Sequence, residues 1–87
     1  MIFLPETLTQ DNAAAVLAEL DAAAARAGAE VTLDASGLLR FDSTALSVLL
    51  DLGRRAQARG QRWSVHKLPE RAAQLARVYG IAELLGS

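Results

Sequence analysis

The chain has 87 residues, 52% of them hydrophobic, and a formal net charge of −1. That length suits one domain, burying roughly 60% of its unfolded surface, and leaves no room for a catalytic domain joined to a cofactor domain. The near balance of charge, with a pI of about 5.7, excludes a global field for nucleic acid, and the absence of cysteine excludes disulfides and thiolate metal sites.

Ile2-Phe3-Leu4 is a short apolar run stopped by Pro5, and it reads as a strand. The start, Met1 to Glu6, lacks the basic opening and long apolar core of a signal peptide. Every apolar run falls short of the roughly 20 residues of a membrane span. A cytoplasmic protein is therefore expected. Thr9 is the expected N-cap of a helix over residues 10–27. Its apolar stripe is Ala13, Val16, Leu17, Leu20, Ala24 and Ala27, and Gly28 stops it. Residues 31–35, Val-Thr-Leu-Asp-Ala, read as a second strand with Asp34 near its carboxyl end.

The stretch from Leu38 to Leu50 organises the chain. Asp42, Ser43 and Thr44 stand together where an apolar run begins, and all three residue types favour helix N-caps. Behind them Ala45, Leu49, Leu52 and Ala56 recur at helical spacing, widened by Leu46, Leu50 and Gly53. The helix should reach Arg59, where Gly60 ends it. Gly53 inside it costs roughly 1 kcal/mol relative to alanine and is expected where helix and sheet approach closely. Residues 62–67 alternate, with Trp63 and Val65 on one face, as a third strand. Leu68-Pro69 opens another helix with the stripe Ala72, Leu75, Ala76 and Tyr79, ended by Gly80. Residues 81–85 read as a final helical turn.

The order β-α-β-α-β-α predicts an α/β domain spanning residues 1–87. Its sheet should be mixed, mostly parallel and of three to four strands, with helices packed against it. The loop after the second strand then lies at the carboxyl edge of the sheet, where such folds carry function.

Catalysis fits the residues poorly. Asp34 and Asp42 as a carboxylate pair would need a cleft and separated pKa values. Ser43 with the lone His66 and an aspartate lacks the G-x-S-x-G elbow. Asp42-Ser43 also resembles the carrier serine of acyl carrier proteins, but those are acidic helical bundles without strands. Arg54, Arg55, Arg59 and Arg62 cluster around Gly60 as a solvated face or a contact for anionic lipid. Trp63 reads as a packing residue. No enzyme activity, cofactor or metal is expected.

Asp34-Ala35-Ser36-Gly37 and Asp42-Ser43-Thr44-Ala45-Leu46 together resemble the signature of STAS domains, in which a strand ending in D-x-S precedes a helix opening D-[ST]-x-[GA]-L. The likeness continues through Ala58-Arg59-Gly60 and the closing Leu75 to Ile81. FDSTALSVLL and LARVYGIAELL are most similar to the MlaB type, the cytoplasmic STAS subunit of the Mla phospholipid ABC transporter. Ala45 stands where many anti-anti-sigma factors carry glycine. The opening run is also short for the family's N-terminal hairpin. The resemblance implies a non-catalytic subunit that binds an MlaF-like ATPase beside a permease, peripheral to the inner membrane, in phospholipid trafficking and lipid asymmetry. The alternative it implies is an anti-sigma factor antagonist that binds a serine kinase or anti-sigma factor and is switched by phosphate on Ser43. It places the partner-binding or phosphoacceptor role on Asp42, Ser43 and Thr44, with Leu38, Arg40, Phe41 and Ser47 as further interface. Ser43 as a helix cap is the competing reading.

Overall fold

The computed structural model describes residues 1–81. The final turn expected over residues 81–85 lies, after Ile81, outside the described residues. In chain order the elements are β1 (Ile2–Phe3), β2 (Thr7–Leu8), α1 (Ala13–Ala25), β3 (Glu30–Asp34), β4 (Arg40–Phe41), α2 (Ser43–Ala58), β5 (Arg62–His66) and α3 (Glu70–Val78). The α/β class holds. The single sheet divides in two, a three-stranded sheet in the order β1-β3-β5 and a two-stranded ladder of β2 with β4. Every pairing among the described residues is parallel, so the mixed sheet expected from the sequence is corrected to parallel. The two strands that sequence reading missed, β2 and β4, have two residues each, too few to show a period.

Register decides which face is apolar. Ile2 pairs with Leu33, and Leu33 with Val65, so these three lie side by side on one face. Leu33 and Val65 are buried there among Leu20, Ala24, Leu49, Leu52 and Ala56 of α1 and α2. The other face carries Glu30, Thr32, Arg62, Ser64 and His66, side chains suited to water.

Two expectations for α1 fail. The helix begins at Ala13, and the N-cap position is Asn12, not Thr9. Thr9 and Asn12 instead close a turn. The Thr9 N–H donates to Asn12 Oδ1 at 2.9 Å, and Asn12 Nδ2 donates to the Thr7 carbonyl at 2.8 Å. Those local bonds compete with an earlier helix start. Ala27 lies past the helix end and is exposed. The carboxyl end of α1 is closed from a distance by buried Gln61, whose Nε2 donates to the Ala24 carbonyl at 2.9 Å and the Gly28 carbonyl at 2.7 Å.

Gly53 sits where α2 crosses β5. A Cβ there would overlap the indole of Trp63, so only glycine lets helix and strand come this close. This bears out the close contact expected of it. Leu46 and Leu49 are buried as expected, each side chain contributing roughly 1.5–3 kcal/mol. Leu50, at the edge of the stripe, is less deeply buried but still packs against the core. Tyr79 leaves the predicted stripe of α3, being 57% exposed.

Candidate functional site

The carboxyl end of β3 leads through a loop into β4 and then into α2. Asp34 is buried at the strand end, its Oδ1 accepting from the Ser36 N–H at 2.8 Å. Its pKa is lowered by the Ser36 hydroxyl and N–H and, less, by the charges of Lys67 and His66. Asp34 thereby shapes the D-x-S turn.

Asp42 is the N-cap of α2. Its backbone is extended, and its Oδ1 accepts from the Thr44 N–H at 2.8 Å. Its Oδ2 accepts from the Gln10 N–H at 3.3 Å, tying the segment before α1 to the start of α2. Burial pushes the Asp42 pKa up, but the hydrogen bonds from Thr44 and Gln10 outweigh it and hold the carboxyl below its ordinary value. Asp34 and Asp42 are thus engaged with separate backbone groups.

This settles the capping alternative for Ser43. The cap is Asp42, and Ser43 is the first residue of the helix. Ser43 is exposed, and its hydroxyl has no hydrogen-bond partner among the described residues. Ser47, one turn on, is likewise exposed. Thr44 is half-buried, its hydroxyl near the Asp42 carboxylate.

Ser43, Leu46, Ser47 and Leu50 form one side of a groove of about 230 Å³, with Tyr79 and Ile81 opposite. A second groove of about 290 Å³ continues from Leu50 past Gly53, Arg54 and Gln57 to Trp63. The structure therefore brings Ser43 and Ser47 together on one row of α2. Sequence reading missed Leu50, Tyr79 and Ile81 in this groove. The helical spacing puts Leu50 and Tyr79 on core stripes, and periodicity alone does not mark the edge of a stripe.

The other expected interface residues separate. Leu38 is corrected: it is 2% exposed and belongs to the core. Its neighbour Leu39 is the exposed one, at 63%. The reason is backbone pairing. The N–H groups of Leu39 and Arg40 both donate to the Glu6 carbonyl, fixing which side chain turns inward. Arg40 is exposed and Phe41 half-buried.

His66 pairs with Ser64, its Nε2 3.0 Å from the Ser64 hydroxyl on the exposed sheet face. It is not joined to Ser43, so the triad that residue types alone would permit is not assembled. The arginine cluster is compensated rather than open. Arg55 and Arg59 both reach Asp21 on α1, Arg54 and Arg55 reach Asp51, and Arg62 reaches Glu30. Burial raises the Asp21 pKa, but its bonds to Arg59 and Arg55 bring the net shift below the ordinary value. Among the described residues no group of three or more His, Cys, Asp or Glu is placed to hold a metal ion. No described helix is long and apolar enough to cross a membrane.

A family model described as the Mlab, STAS domain matches residues 1–86. No curated protein matches the chain. The matched region takes in the D-x-S turn at Asp34, the Asp42 cap and the exposed Ser43 hydroxyl. The chain belongs to the STAS domain family.

Proposed function

We propose that this chain is a non-catalytic STAS subunit that binds and regulates the ATPase of an Mla-type ABC transporter for phospholipid trafficking. On this reading it supports outer-membrane lipid asymmetry and sits in the cytoplasm, held to the inner membrane through an MlaF-like ATPase and its permease. The observation that carries the proposal is the match of residues 1–86 to the MlaB-type family model. The geometry agrees with it. The exposed Ser43 and Ser47 hydroxyls stand over a groove floored by buried Leu46, which is a surface to dock on rather than a substrate pocket.

The second reading is an anti-sigma factor antagonist switched by phosphate on Ser43. It is favoured by one feature: the Ser43 hydroxyl is exposed and not used as the cap. A phosphate there would add roughly −1.5 to −2 charges beside the Asp42 carboxylate.

Affinity purification from membranes separates the two. The transporter reading expects the ATPase and permease to copurify with the chain. Recovery of a soluble serine kinase, with phosphate on Ser43 and no ATPase, would overturn it in favour of the second.

A further inference from the structure

The three helices are held to the fold by unequal means. α1 is tied to α2 by Asp21, which takes Arg55 and Arg59, and its carboxyl end is closed by Gln61. α2 buries Leu46, Val48, Leu49 and Leu52. The buried residues of α3 are two alanines, Ala72 and Ala76, with Leu75 half-buried beside them. An alanine side chain removes less apolar surface from water than a leucine, so it holds a helix less firmly. Among the described residues α3 makes no ion pair or side-chain hydrogen bond to another element. Its one ion pair, Arg77 with Glu70, is internal to the helix.

The ends of α3 are places where the backbone turns. Lys67, just after β5, is left-handed with a φ of 58°, a conformation that L side chains seldom adopt. Pro69 at the N-cap position supplies no side-chain cap, and Gly80, just past the helix, is left-handed at a φ of 71°. Residues at the ends of an element absorb the backbone rotation when that element moves. One charged side chain does reach from α3 to another element. The guanidinium of Arg71, in the first turn, lies 5.3 Å from the centroid of the Phe41 ring of β4. That is a cation–π contact, and the ring is anchored because Phe41 packs half-buried against the core. Tyr79 and Ile81, the far wall of the Ser43 groove, follow directly from α3.

We infer that α3 opens and closes as a unit about Lys67, and that the contact of Arg71 with Phe41 is the latch that holds it closed. The latch thereby keeps Tyr79 and Ile81 opposite Ser43 and Ser47. Opening carries that wall away and widens the groove. A segment with little buried apolar surface opens locally well before the whole domain unfolds. The device belongs to the free chain and does not depend on which partner uses the groove.

Native-state hydrogen exchange on the whole free chain tests this, with melting temperature to show that each variant is folded. In the wild type the amides of residues 74–78 should exchange at least about tenfold faster than those of residues 49–56 in α2. A cation–π contact at an exposed site is worth a factor of about two to five in an equilibrium constant. Arg71→Gln should therefore speed residues 74–78 about two- to five-fold, and residues 79–81 with them, while residues 49–56 stay unchanged. Phe41→Leu keeps an apolar side chain but removes the ring, and it should do the same. Arg71→Lys keeps a cation and should fall between wild type and Arg71→Gln. The double variant should exchange no faster than either single variant, because both remove one contact. Separate effects on helix propensity and core packing would add instead. Four results would each overturn the inference: residues 74–78 as well protected as residues 49–56, unchanged exchange in a folded Arg71→Gln variant, residues 79–81 untouched by it, or single variants whose effects add.

Discussion

The two ends of α2 are built to opposite specifications. At the carboxyl end the groups that meet other elements are spent on the fold. Gly53 admits the Trp63 indole, Ala56 is wholly buried, and Arg55 and Arg59 reach across to Asp21. Gln61 just beyond closes the end of α1. At the amino end one side chain, Asp42, does all the capping. Ser43 and Ser47 are left exposed, and their hydroxyls have no partner among the described residues; Leu39 and Arg40 just before them are also exposed. A polar group that the fold does not use is available to a partner. On the proposed function, that difference would put stability at one end of the helix and recognition at the other.

The strongest challenge to this division is a deep truncation at the carboxyl half. Leu52→Ala removes a side chain that is 2% exposed. It should cost about 2–5 kcal/mol of stability. Denaturant unfolding measures it, and a cost below about 1 kcal/mol would mean the core there is loose. In molecules that stay folded, partner affinity should be unchanged.

Gln61→Leu comes next. It keeps bulk but removes both side-chain donations; the Ala24 carbonyl keeps its bond from the Ala27 N–H at 3.0 Å and exposed Gly28 is open to water, so the loss should be about 0.5–1.5 kcal/mol. Hydrogen exchange should localise the loss to the end of α1, and uniform loosening would contradict the capping role. Asp42→Ala should lower the melting temperature by about 4–8 °C, the usual size for a lost cap in a domain this small. The sign of its pH dependence follows from its lowered pKa. The ionised cap stabilises above the ordinary carboxylate range, and that stability disappears as pH falls through the depressed folded value. The wild-type advantage over Asp42→Ala should therefore shrink in acid. An advantage that grew in acid would refute the ionised cap.

Much of this was legible in the sequence because the elements that carry the core are periodic. The stripe of α2, the apolar alternation of β5 and the glycine at position 53 each have one physical reading. The region around the site was less legible for three physical reasons. The β2–β4 ladder is two residues long and is held by pairing rather than by pattern. Leu38 and Leu39 are chemically alike, and only the bonds from Leu39 and Arg40 to Glu6 decide which one is buried. Asp42, Ser43 and Thr44 all suit a cap, and the choice fell to Asp42 because its two oxygens serve Thr44 and Gln10 at once. The contact of Arg71 with Phe41 carried no signal at all, because the two lie 30 residues apart in the chain.

On the proposed function, Ser43 serves a partner and not the fold. The most direct measurement takes melting temperature and affinity for the Mla-type ATPase on the same Ser43→Ala and Ser43→Glu variants. Melting temperature should match the wild type for Ser43→Ala, a surface change worth less than about 0.5 kcal/mol. Affinity should fall by about 1–3 kcal/mol for Ser43→Ala if its hydrogen bond is buried in the contact. It should fall further for Ser43→Glu, whose charge would be desolvated there without a partner. A folded Ser43→Glu variant that binds as tightly as the wild type would contradict a partner role for Ser43.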